Sequence, residues 1–252
     1  MSSATTDPRD RIHLGGVATS LAVLVALIVA MPLTAPLFHW LFPTLDRPVY
    51  VRASFLTLTL DHLALVAGAS VPMIIVGIAG GIFVTRPAGR EFAGVIDTVT
   101  AVGQTFPPAA VLALAVPVVG YGAAPALVAL FAYGILPVLD NTIAGLRSIP
   151  PAALDAATGM GFTAAGRLWR IELPLAAPVI VAGIRTSVAI AIGTATIGST
   201  VGALTLGSPI IEGLSGSNTA YVLQGALLVA ALAIAVDRLF AALDGWLRAR
   251  AQ

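Results

Sequence analysis

Residues 14–38 contain no charged side chain. A helix of that length crosses a hydrocarbon core, which needs about 20 residues. The apolar region of a cleaved signal peptide is shorter, about 7–15 residues, so the run reads as an uncleaved first span near 17–38, behind a polar tail at 1–13. Five more apolar runs follow, near 60–84, 93–118, 123–144, 180–204 and 219–240. Charged residues make up 10% of the chain, against about 25% in soluble domains, and mean hydropathy is +0.98. These features predict an all-α polytopic membrane protein of about six transmembrane helices, with residues 1–252 forming a single transmembrane domain.

The runs differ in character. The second carries Gly77 and Gly81 at a spacing that lets two helix backbones approach closely. The third is interrupted by Gln104-Thr105-Phe106-Pro107-Pro108, and two prolines there break the helical ladder. The segment 205–218, with Glu212, reads as a loop. Asp97, Asp140 and Asp237 read as solvated residues near the ends of spans.

All thirteen basic residues are arginine. A P-loop needs its lysine, so the chain cannot hold ATP in that manner. Arg9, Arg11, Arg86, Arg90, Arg147, Arg167, Arg170, Arg238, Arg248 and Arg250 fall on one side of the predicted topology and Arg47 and Arg52 on the other, with Arg185, near a membrane entry, counted on neither. By the positive-inside rule, the ten-residue side and both termini are cytoplasmic. A net charge of +1 suggests no nucleic-acid partner. His13, His39 and His62 are scattered, which indicates no metal site. No nucleophile, base and orienter stand at a recognisable spacing, so no catalytic residue is expected.

The predicted cytoplasmic loop, about 145–178, is the most informative stretch. Pro151 suits a first helical position, and Gly159-Met160-Gly161 permits a sharp corner. A second short helix, roughly 163–172, is expected to end at Pro174. The loop resembles the coupling signature of ABC importer permeases: Asp155-Ala156-Ala157, three residues, Gly161, nine residues, Ile171, one residue, Leu173-Pro174. Asp155 stands where that family usually has Glu.

The resemblance extends over about residues 60–213, through His62-Leu63, Leu65-Val66, Ser70, Gln104-Thr105, Pro107, Asn141-Thr142 and Gly145-Leu146. Glu172-Leu173-Pro174-Leu175, Ala182-Gly183-Ile184-Arg185-Thr186 and Ile192-Gly193-Thr194-Ala195-Thr196-Ile197 continue it. Together they are similar to the osmoprotectant branch, the importers of glycine betaine, choline, carnitine and proline. Two departures stand out: Asp140 where that branch often has Arg, and 202–207 reading GALTLG where it usually has GAGGLG.

The resemblance implies a type I ABC importer permease fold in a bacterial cytoplasmic membrane. It also implies ABC ATPase subunits that bind the ATP, an extracytoplasmic substrate-binding protein, and a second permease copy or paralogue. Asp155, Ala156, Ala157, Gly159, Met160, Gly161, Ile171, Leu173 and Pro174 would couple to the ATPase, or shape the turn that does. Gln104 would line the translocation pathway or make an inter-helix hydrogen bond. Thr194 and Thr196 would line the pathway or bond their own backbone. Other solutes, such as an amino acid or ergothioneine, and a stand-alone secondary transporter remain alternatives.

Overall fold

The computed structural model describes the backbone of residues 8–250 and the side chains of 15–246. Residues 1–7 of the polar tail and the side chains of Arg9, Arg11, His13, Arg248 and Arg250 lie outside the described residues. The helices, in chain order, are α1 (Pro8–Ala30), α2 (Ala35–Leu41), α3 (Phe55–Val84), α4 (Ala93–Thr105) and α5 (Pro108–Val119). There follow α6 (Ala123–Arg147), α7 (Pro151–Gly159), α8 (Ala164–Arg167), α9 (Leu173–Ala195), α10 (Gly207–Ser215) and α11 (Thr219–Arg250). No strand occurs among the described residues.

Five helical stretches are long and apolar enough to cross a bilayer: Gly15–Leu41, Phe55–Val84, Ala123–Arg147, Ala164–Ala195 and Thr219–Trp246. The third predicted span, 93–118, is two helices, α4 and α5, meeting at 97°, and counted as one broken span it makes six. Each residue before a proline is driven out of the α region. Phe106 and Pro107 are accordingly extended, with ψ of 130° and 131°. A polar break forms where the sequence pattern suggested one interrupted helix.

Small residues decide which helices meet. A Cβ on Gly77 would stand 2.8 Å from that of Val138, and one on Gly81 would stand 2.6 Å from that of Thr142. Partner numbers rise together, so α3 and α6 run parallel at close backbone contact. Gly145 meets Val179 and Gly183 meets Asn141, numbers running in opposite senses, so α6 and α9 are antiparallel. Leu58, Met73, Leu130, Ile192 and Leu228 fill the core among these helices. The α1 helix packs mainly on α11, and its Leu24 joins the same core.

Three sequence expectations are corrected. Residues 8–13 of the predicted tail are helical. The segment 205–218 is not a loop throughout, since α10 occupies most of it. Pro174 does not end a helix: Leu168–Glu172 forms one π-helical turn and runs directly into α9. Pro174 lies in the first turn of α9, where a missing N–H is tolerated.

At the end of the bundle away from α7, the connection 42–54 is fastened to α10 and α11. Gln224 accepts from the Tyr50 N–H at 3.0 Å and donates to the Pro48 carbonyl at 2.6 Å. Glu212 accepts from the Tyr50 hydroxyl at 2.9 Å and pairs with Arg52 at 3.0 Å. Burial, then the bond to Glu212, push the Tyr50 phenol up from 10.0 to about 12.

Candidate functional site

Two regions concentrate the polar and glycine positions. The first is the corner between α7 and α9. Gly161 takes φ +80° in open space, the left-handed conformation that glycine adopts without a Cβ penalty. The Gly161 N–H closes α7 onto the Thr158 carbonyl, and the Thr163 hydroxyl caps α8 by accepting from the Gly166 N–H at 3.1 Å. This leaves Asp155, Ala156, Gly159, Met160 and Gly161 exposed, while Ala157 is buried. Ile171 is half-buried and Pro174 exposed. Leu173 packs with Leu146, Ile149, Ala176 and Ile180 against the bundle. Met160, Gly161, Phe162, Thr163, Gly166 and Arg170 line an open concavity of about 360 Å³.

A buried carboxylate ties this corner to the bundle. Glu172 is 4% exposed. It accepts from Arg167 at 2.9 Å and from Arg86, just past the end of α3. Arg167 also donates to the Thr158 hydroxyl at 3.2 Å. Two arginines read in the sequence only as topology markers thus serve a structural clamp. The signal available was Glu172 itself, an acid beside an apolar run, which demands a partner.

The second region is a cavity of about 410 Å³ where the α4–α5 break faces α6 and α9. Gln104, Tyr133, Asp140, Asn141, Thr186 and Thr194 contribute its polar lining. Gln104 Nε2 donates to Asp140 Oδ2 at 3.3 Å. Asn141 donates to the Pro137 carbonyl at 2.9 Å. The structure therefore brings Gln104 and Thr194 together. Thr196, two positions on and about 200° around the helix, lies outside the lining, and its hydroxyl donates to the Gly193 carbonyl at 2.7 Å.

Of the three carboxylates expected to be solvated at span ends, Asp97 is exposed, and the other two are placed otherwise. Asp140 is half-buried in the cavity wall, about two turns before the end of α6. Asp237 meets Arg185 of α9 through two hydrogen bonds, at 2.6 and 2.8 Å. In a water-poor setting a charge keeps its ionised form by pairing, which α11 achieves by lying against α9.

His62 is fully buried at the far end of the bundle. One ring nitrogen accepts from the Leu206 N–H at 3.3 Å, and the other lies 3.1 Å from the Ile192 carbonyl. That pairing assigns Nε2 as the protonated nitrogen. Within GALTLG, Thr205 is buried with its hydroxyl 2.8 Å from that of Ser199, while Leu204 is exposed. Among the described residues no three histidines or carboxylates cluster as a metal site.

Comparison with known proteins places this geometry. Residues 77–249 match the family described as binding-protein-dependent transport system inner membrane component. The osmoprotectant import permease protein OsmY of Salmonella typhimurium is 42% identical over 180 residues, covering 71% of this chain and 76% of that protein. The choline transport system permease protein OpuBB of Bacillus subtilis is 40% identical over 183 residues, covering 73% and 83%. A chain of the inward-facing MetNI methionine ABC transporter superposes with a TM-score of 0.65 at 22% identity, covering 75% of this chain and 92% of that one.

Proposed function

The chain belongs to the family of binding-protein-dependent transport system inner membrane components, and on that premise we propose that it is the permease subunit of an ATP-driven importer for an osmoprotectant or related quaternary amine. It is a multi-pass membrane protein and a transport component, with ATP bound and hydrolysed by a partner. Residues 1–252 act as one permease domain, with both termini and the 145–178 corner in the cytoplasm. Two ATPase subunits dock beneath, a substrate-binding protein docks on the opposite face, and a second permease copy or paralogue completes the pathway.

The observation that carries this reading is the α7 corner. It exposes Asp155, Ala156 and Gly159-Met160-Gly161 beside an open concavity while Glu172 anchors it from behind. A surface that is small-featured outside and clamped inside transmits a partner's movement to α3 and α9 rather than absorbing it. Gln104, Thr194 and Asp140 mark the pathway. The relatives named for osmoprotectant and choline transport support the solute class.

The test is co-purification with the ATPase encoded beside it, comparing wild type with Gly161→Asp. A Cβ at Gly161 meets nothing within 4 Å, so the variant carries only left-handed backbone strain of about 1–2 kcal/mol and still folds. Loss of ATPase from a variant that inserts normally is the expected result. Uptake of solute by the purified chain with no ATPase ever associating overturns the reading.

A further inference from the structure

Among the carboxylates set into the bundle, Glu172 and Asp237 have arginine partners. Asp140 has no ion-pair partner among the described residues, and it faces a cavity. The lining of that cavity includes one acid and no base. The other charge felt at Asp140 is again a carboxylate, Asp97 of α4. Its neighbours Gln104, Asn141 and Thr194 are neutral. Tyr133 lies seven residues earlier on α6, hence on the same helix face, and adds aromatic surface to the wall. Its hydroxyl is buried without a hydrogen-bond partner.

A carboxylate, one aromatic ring and neutral polar groups suit a particular chemistry. A quaternary ammonium has no N–H to donate, so it is recognised by opposite charge and by aromatic surface. The cavity volume falls within the range of small-molecule sites, about 300–1,000 Å³. A zwitterionic betaine would bring a carboxylate of its own into a site with no arginine or lysine to receive it, and like charges held together are unfavourable. A quaternary amino alcohol brings only the cation and a hydroxyl, for which the unpartnered Tyr133 hydroxyl is a ready mate.

Resting on the importer reading above, we propose that this cavity is a transit site for a net-cationic quaternary amine, with Asp140 as counter-ion and the residue that sets the pathway's preference for cations over zwitterions. One ring and one carboxylate make a weak site, as conduction requires: a tight one would retain the solute.

The experiment is equilibrium binding of labelled choline and labelled glycine betaine to the full-length chain, co-expressed with its ATPase and reconstituted in lipid nanodiscs. Wild type should bind choline saturably and at least about tenfold more tightly than glycine betaine. Asp140→Asn should abolish that ratio, Asp140→Glu should keep it, and Tyr133→Phe should keep the charge preference. The wild-type ratio needs no variant to fold. Equal binding of the two probes, binding of neither, or a preference unchanged in Asp140→Asn overturns the proposal. ATPase retention in the same preparation reports on the importer reading separately. ATPase present with no choline preference sinks the site alone, whereas an Asp140-dependent preference without ATPase sinks the importer reading alone.

Discussion

Replacing Glu172 with alanine removes the carboxylate on which Arg86 and Arg167 converge. Taking one partner from a buried ion pair costs about 3–5 kcal/mol, because the remaining charge stays desolvated. The two arginine side chains keep 27% and 30% exposure, so water recovers part of that loss, and about 2–3 kcal/mol is expected. For a chain of this size that corresponds to a fall in Tm of roughly 5–10 °C. Arg86→Ala alone should lose about 1–2 kcal/mol, since Arg167 still neutralises Glu172. The double variant Arg86→Ala/Glu172→Ala should be no worse than Glu172→Ala, because the two groups share one interaction. Arg90, exposed and outside any ion pair of the described residues, supplies the control, with Arg90→Ala changing stability by less than about 0.5 kcal/mol. Thermal unfolding of the purified chain in nanodiscs reads the ranking, and ATPase retention should fall with it. Strictly additive effects of Arg86→Ala and Glu172→Ala, or a Glu172→Ala protein that melts with wild type, would refute the clamp.

Two further outcomes follow from the packing and the charges. Gly81→Ala should destabilise by about 1–3 kcal/mol, the range for overpacking, because its Cβ would lie 2.6 Å from that of Thr142. Gly94→Ala, with nothing within 4 Å, should be neutral or stabilising, and equal melting of the two variants would disprove the close α3–α6 contact. Tyr50 titrates near 10 unfolded and about 12 folded. A raised folded value means stability that is intact below pH 10 and lost as pH rises toward 12. Unfolding followed across that window should show the decline in wild type and less of it in Tyr50→Phe, and identical slopes would remove Tyr50 as the cause.

Legibility in the sequence varied with the range of the physics involved. Apolar runs of about 20 residues with at most one charged side chain permit little but spanning helices, and 14–38, 60–84 and 123–144 could be read as spans directly. The α7 corner was similarly legible, because Pro151 and Gly161 act through their own backbone torsions and need no partner. Local rules failed where a neighbouring turn adjusted: Pro174 looked like a helix stop, yet a π-helical turn at Leu168–Glu172 carries the chain into α9.

What the sequence alone determined was the inventory: membrane spans, a polar break at Pro107-Pro108, a glycine corner, and charges in need of partners. The assignment of those partners required the tertiary structure. Gly77 and Gly81 declare only that some helix can come close, and the fold makes it α6. Arg86 and Glu172, far apart in the chain, become one clamp, as do Arg185 and Asp237. Asp140 is left facing a cavity instead of a cation. Electrostatic pairing and close packing act through space, and separation along the chain carries no record of which groups will be brought within a few ångströms.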